Sequence, residues 1–149
     1  MGFLLGEHDI LGFRFAVQPW QDEAVDLSFG DLSLKWEVSL NYWEVGGSGE
    51  NNWAFSFSPI LSSQLTTLPY DIDVSWELGI GISMHSKHHF GVKNLGSRVL
   101  FEDRLSLVFL ISERKNSRVT LSAIHYSNAG FSSHNPGINL ISIVYHQPI

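Results

Sequence analysis

Hydrophobic and polar residues alternate with a period of two along almost the whole chain. Successive side chains of a strand leave opposite faces, so this period predicts strands with one apolar face. Leu11, Phe13, Phe15 and Val17 alternate with Gly12, Arg14, Ala16 and Gln18. Leu32, Leu34, Trp36, Val38, Leu40 and Tyr42 alternate with Ser33, Lys35, Glu37, Ser39 and Asn41. Trp53, Phe55 and Phe57 mark a third such segment, and Ile72 through Ile82 a fourth. Leu105, Leu107, Phe109 and Ile111 mark the next, with a less clean opposite face. Val119, Leu121 and Ala123 follow, and Ile141, Ile143 and Tyr145 close the chain. With a short strand around residues 2–7, eight strands are expected. Polar or Gly/Pro-bearing stretches at 21–31, 45–52, 65–71, 85–94, 113–117 and 128–137 read as the connections.

Eight antiparallel strands joined by short connections predict an all-β, up-and-down barrel, formed by residues 1–149 as one domain. Alternation does not say which face points inward. Three features favour a transmembrane barrel with the apolar face outside over a soluble, lipocalin-like one. Several segments reach the length of about 9–11 residues that crosses a bilayer at a tilt. The polar face is mostly small, which suits a narrow filled interior. Trp36, Tyr42, Trp43, Trp53 and Trp76 are placed where an aromatic girdle could form.

Composition sharpens that choice. Charged residues make up 16% of the chain, against about 25% in soluble domains, too few for an ordinary wetted exterior. The net charge of −6 argues against a general nucleic-acid role. Cysteine is absent, which removes disulfides and thiolate metal sites. The first residues lack a basic region and a full apolar core, so they are not read as an intact signal peptide.

Four polar side chains interrupt the apolar face late in the chain: Asp103, His125, Ser127 and Asn139. On a lipid-facing wall such groups cost about 2–4 kcal/mol at mid-bilayer and less near the interface, so they are functional candidates. His125 and Ser127 are two residues apart, which sets a base and a nucleophile side by side on one strand face. A simple hairpin centred near Lys115 would put Asp103 opposite Ser127, and the 128–137 connection would bring Asn139 close. Backbone amides at Asn128 and Gly130 can hold an oxyanion. A site on that wall would act on an acyl chain already in the membrane. From the residues alone, the pair suits a polar strand end at the interface equally well.

The run Ala123-Ile124-His125-Tyr126-Ser127-Asn128-Ala129-Gly130 resembles the catalytic segment of PagL-type lipid A 3-O-deacylases. Tyr42-Trp43-Glu44, Asn94-Leu95-Gly96, Phe101-Glu102-Asp103-Arg104 and the Pro148-Ile149 ending match in order and spacing. The resemblance implies an eight-stranded barrel in the outer membrane of a Gram-negative bacterium. It implies hydrolysis of the ester-linked acyl chain at the 3-position of lipid A, without metal or cofactor. It places the catalytic pair at His125 and Ser127, oxyanion donors near Asn128 and Gly130, and supporting residues at Phe101 and Asp103. The expected partners are lipopolysaccharide and the outer membrane, with a homodimer as a further candidate. One departure from the family's triad matters. Where the family has a triad Glu, twelve residues after the Ser, this sequence has Asn139. Asn can orient the ring but brings no charge; Asp103 is the candidate substitute.

Other polar groups have blander readings. His85, His88 and His89 form a loop cluster that suits solvent better than a metal, and His134 reads as a plain loop residue. Arg14, Lys35, Glu37, Asp73 and Glu77 are expected to fill the barrel with an ionic network.

Overall fold

The computed structural model describes residues 1–21, 25–27, 30–46, 49–112 and 117–147. The strands are β1 (Gly2–Gly6), β2 (Ile10–Gln21), β3 (Val25–Leu27), β4 (Gly30–Val45), β5 (Glu50–Leu68), β6 (Ile72–His85), β7 (His89–Phe90), β8 (Lys93–Asn94), β9 (Val99–Ser112), β10 (Ser117–Ser127) and β11 (Ile138–His146). All pairings are antiparallel. β2, β4, β5, β6, β9, β10, β11 and β1 pair in that order, and β1 returns to β2. Eight strands therefore close a barrel, and closure removes the open edges that a sheet would otherwise expose. The short β3 forms a hairpin with the start of β4, and β7–β8 form a second small hairpin inside the stretch read as the 85–94 loop.

The apolar face is outside. Leu11, Phe15, Phe55, Ile80, Ile82, Leu105 and Ile143 are exposed. The alternate positions are buried and largely polar: Ser39, Asn41, Ser56, Ser58, Ser106, Ser122 and Ser142 line the interior. This inversion decides against the lipocalin-like alternative. A soluble barrel would hide its Leu, Ile and Phe; this one shows them to its surroundings, as a bilayer requires.

The small side chains leave room for ions, and the ions are matched. Arg14 Nη2 donates to Glu37 Oε1 at 2.8 Å and to Glu102 Oε1 at 3.0 Å. Arg104 pairs with Glu37, Tyr126 Oη donates to Glu102 at 2.6 Å, and Gln18 donates to Glu37 at 2.9 Å. Nearer the other end Lys35 Nζ meets Glu77 Oε1 at 2.9 Å. Buried charges persist only when paired and hydrogen-bonded, and each of these is. Asp73, expected in the same network, is instead bonded to Thr67 and Gln64 in an exposed cluster near the end of β5.

Above the ionic layer the interior turns aromatic. Trp43 is fully buried and stacks on Phe90 with ring centroids 5.4 Å apart. His85 and Tyr126 close the same cluster. Trp43 therefore does not join a girdle. It sits at an odd position of β4, whose outward side chains are even-numbered. Tyr42 and Trp53 do face outward at that end.

The four connections at one end of the barrel follow β1, β4, β6 and β10, and they include the two longest, at 86–98 and 128–137. Met1 and Tyr145 are bonded to each other at the opposite end. Within the stretches read as connections at 21–31, 45–52 and 113–117, residues 22–24, 28–29, 47–48 and 113–116 lie outside the described residues, as does the Pro148-Ile149 ending.

Candidate active site

β10 carries Val119, Leu121, Ala123, His125 and Ser127 on its outward face, because Thr120, Ser122, Ile124 and Tyr126 point in. His125 lies near the end of the strand, on the wall that meets lipid. Directly across on β11 stands Asn139, its register partner. His125 Nδ1 and Asn139 Oδ1 are 2.8 Å apart. Across on the other side, the register partner of His125 is Asp103.

That second pairing corrects the expected register by two residues. Asp103 faces His125, and Ser127 faces Phe101. The hairpin is not simple: the ladder slips between Ser117 and Arg118, so that Ser117 pairs with Ser112 but Arg118 with Leu110. Asp103 thus comes nearer the base than the nucleophile. Even so, the ring's hydrogen bond goes to Asn139 and not to Asp103. Phe101, beside Ser127, packs near the loop residue Phe131 at 6.1 Å.

Gly137 holds the other side of the ring. Its φ of 63° lies in the left-handed region, and a Cβ there would fall 2.5 Å from His125 Cε1. Only glycine lets the backbone lie this close in this conformation. Ser127 shares the outward face but makes no hydrogen bond to the His125 ring among the described residues. Such contacts are often long before substrate is bound and tighten in the reacting complex.

The two expected oxyanion donors are occupied. The Asn128 amide donates to Asn135 Oδ1 at 2.9 Å, and the Gly130 amide donates to Asn128 Oδ1 at 2.9 Å. Ala129 and Gly130 both have positive φ, 50° and 83°, so the turn is tight. Asn128 also anchors it inward, through Nδ2 to the carbonyls of Leu95 and His134.

A groove of about 540 Å³ runs along the wall from His125 and Asn139 past Ala123, Leu105 and Leu78. Its lining is mostly apolar, which suits an alkyl chain lying along the barrel.

Residues 10–148 match the family described as lipid A 3-O-deacylase (PagL). The chain belongs to this family. The lipid A deacylase PagL of Pseudomonas aeruginosa is 34% identical over 130 residues, covering 87% of this chain and 73% of that protein. The lipid A deacylase PagL of Bordetella bronchiseptica is 31% identical over 120 residues, covering 79% and 64%. A crystal structure of the outer membrane enzyme PagL superposes with a TM-score of 0.84 at 30% identity, covering 99% of this chain and 98% of that one. This PagL-family chain is accordingly an outer-membrane β-barrel of the lipid A deacylase type.

The histidine cluster read from the sequence does not assemble. His85 points into the barrel against Trp43 and Tyr126, while His88 and His89 stay in the loop with ring centroids 4.1 Å apart. The inward end of β6 separates His85 from the exposed pair that follows it. One neighbour of the site escaped the sequence reading. Glu7, in the turn after β1, accepts a hydrogen bond from Asn139 Nδ2 and pairs with Lys93. Lys93 Nζ also donates to the Gly137 carbonyl at 3.2 Å. The signal was available only through closure. β1 pairs with β11, with Gly6 opposite Leu140, and one further step along that register sets Glu7 opposite Asn139.

Proposed function

We propose that this barrel hydrolyses the ester-linked acyl chain at the 3-position of lipid A, using Ser127 as nucleophile and His125 as base. The observation that carries the reading is the His125 Nδ1–Asn139 Oδ1 contact on a lipid-facing wall, two residues before Ser127 in a chain of this family. An oxygen at Asn139 accepts only from a protonated Nδ1, which leaves Nε2 with the lone pair that a general base needs.

The reaction then runs in two halves. Ser127 Oγ attacks the ester carbonyl while Nε2 takes its proton. The tetrahedral intermediate collapses, the sugar oxygen leaves with that proton, and the acyl chain stays on Ser127. Water, deprotonated by Nε2, attacks the acyl-serine, and the fatty acid departs as the proton returns to Oγ. In this reading the Asn128–Gly130 turn receives the oxyanion when a substrate oxygen displaces Asn135 Oδ1 from the Asn128 amide. The groove takes the acyl chain. Asp103 adds negative charge on the far side of His125 without a hydrogen bond to the ring. An amide in place of a carboxylate orients the ring without stabilising the imidazolium, so turnover is expected to be slower than with a Glu at this position. The relatives lend no support to a homodimer, and the site as described is built from one chain.

The test is lipid A mass spectrometry from cells expressing the protein or its Ser127→Ala variant. Loss of one hydroxyacyl chain with the native protein, and none with Ser127→Ala, is expected. Retained deacylation in the variant overturns the nucleophile.

A further inference from the structure

Asn139 has two ends, and only one of them is useful to His125. Its carbonyl oxygen holds the ring as an Nδ1–H donor. Its NH2 end, turned the same way, would donate to a bare Nδ1 and leave the proton on Nε2, where it blocks base catalysis. A carboxylate at this position has no such ambiguity, because both of its oxygens accept. An amide needs something else to choose its orientation.

The structure contains that selector. Asn139 Nδ2 donates to Glu7 Oε1. An ionised carboxylate can only accept, so it draws the NH2 end towards itself and turns Oδ1 towards His125. Glu7 is itself fixed. Its backbone amide donates to the Asn139 carbonyl at 3.3 Å, its other carboxylate oxygen takes Lys93, and Lys93 is tied to Gly137. The carboxyl is held below its ordinary value of 4.5 by the hydrogen bond from Lys93 and then by that from Asn139. Glu7 therefore stays ionised at neutral pH.

We infer that Glu7 is a positioning residue: it sets which way the Asn139 amide faces and thereby the tautomer of His125. Chemically it completes in two residues, Asn139 and Glu7, what a single carboxylate does alone. Lys93 balances its charge, so its contribution is orientation more than stabilisation of the imidazolium. The inference rests on the deacylase reading for its kinetic consequence, and on geometry alone for the tautomer.

The experiment combines Glu7→Ala with Asn139→Glu, on full-length protein refolded in detergent micelles, with gel-mobility shift on heating as the check of folding. In the native background Glu7→Ala is expected to lower kcat about 10–100-fold, the size seen when a group that orients a metal-bound histidine from behind is removed, with KM little changed. In the Asn139→Glu background the same change should cost less than about twofold, since a carboxylate needs no orienting. Ring nitrogen NMR of His125 should show Nδ1–H in the native protein and a mixture of tautomers in Glu7→Ala. An unchanged tautomer, or equal losses of kcat in both backgrounds, overturns the inference. A native protein that does not deacylate lipid A overturns the function proposed above instead, and the tautomer measurement then decides the role of Glu7 on its own.

Discussion

Arg14 and His125 both sit on strands that cross the membrane, yet the barrel treats them in opposite ways. Arg14 points inward and is fully buried, with Asn41, Glu37 and Glu102 within hydrogen-bond distance. His125 points outward, half-buried, with one hydrogen bond and the edge of Gly137 against its ring. The interior pairs each of these buried charges, Arg14 with Glu37 and Glu102, Arg104 with Glu37, and Lys35 with Glu77. The wall keeps one ring nitrogen unspent beside a hydroxyl. Polarity inside this barrel is matched by partners; polarity on the outer wall carries a cost, which makes such groups candidates for function. The difference is not one of residue type but of which side of the sheet a side chain leaves.

That contrast can be broken by substitution. The largest effect is expected at Ser127. Ser127→Ala should lower deacylation by at least about a thousandfold, the scale for losing a catalytic serine, while the heat-dependent gel shift stays native. Loss of folding instead would mean that the wall residue is structural. The converse is expected at Arg14. Arg14→Ala leaves Glu37 and Glu102 short of a buried partner, which typically costs about 3–5 kcal/mol. Urea unfolding in lipid vesicles should show that loss, with the activity of the folded fraction preserved. Asn139→Ala should fall between them in kind, with kcat down about 10–100-fold and unfolding almost unmoved. Asp103→Asn should cost at most about fivefold in kcat, because an exposed charge without a hydrogen bond contributes on the order of 0–1 kcal/mol. A larger loss would make Asp103 the missing triad acid. The smallest effect concerns pH. The Glu7 carboxyl is lowered in the folded protein by Lys93 and Asn139. Its contribution is therefore complete above the ordinary carboxylate value of 4.5 and is lost as pH falls through the lower folded value. Carbon NMR of the Glu7 carboxyl should titrate below 4.5 in the native protein and return towards it in Lys93→Met.

Alternation alone made the barrel legible. Positions such as Leu78, Ile80 and Ile82 against Glu77, Gly79 and Gly81 mark two faces without reference to anything distant in the chain. The outward placement of His125 and Ser127 followed from the same parity, and Asn139 from the length of one connection. What parity cannot carry is register. The slip between Ser117 and Arg118 moved Asp103 from Ser127 to His125, and no local pattern announces a slip of that kind. Closure is less legible still. Glu7 reaches Asn139 only because the first and last strands pair, a contact between residues at opposite ends of the sequence. Trp43 shows the remaining difficulty, since an aromatic residue near a strand end looks like girdle until its parity is checked against its neighbours.

The placement of the long connections has a consequence for sidedness. In outer-membrane barrels the long loops project from the cell and the short turns face the periplasm. The 86–98 and 128–137 connections lie at the end where His125, Ser127 and Asn139 meet the wall. On the proposed reading, the Ser127 hydroxyl therefore opens onto the outer leaflet alone. A lipid in the inner leaflet passes the same barrel and meets a wall of aliphatic and aromatic side chains, Trp20 and Tyr145 among them, so on that reading a symmetric bilayer offers the site half of its lipids.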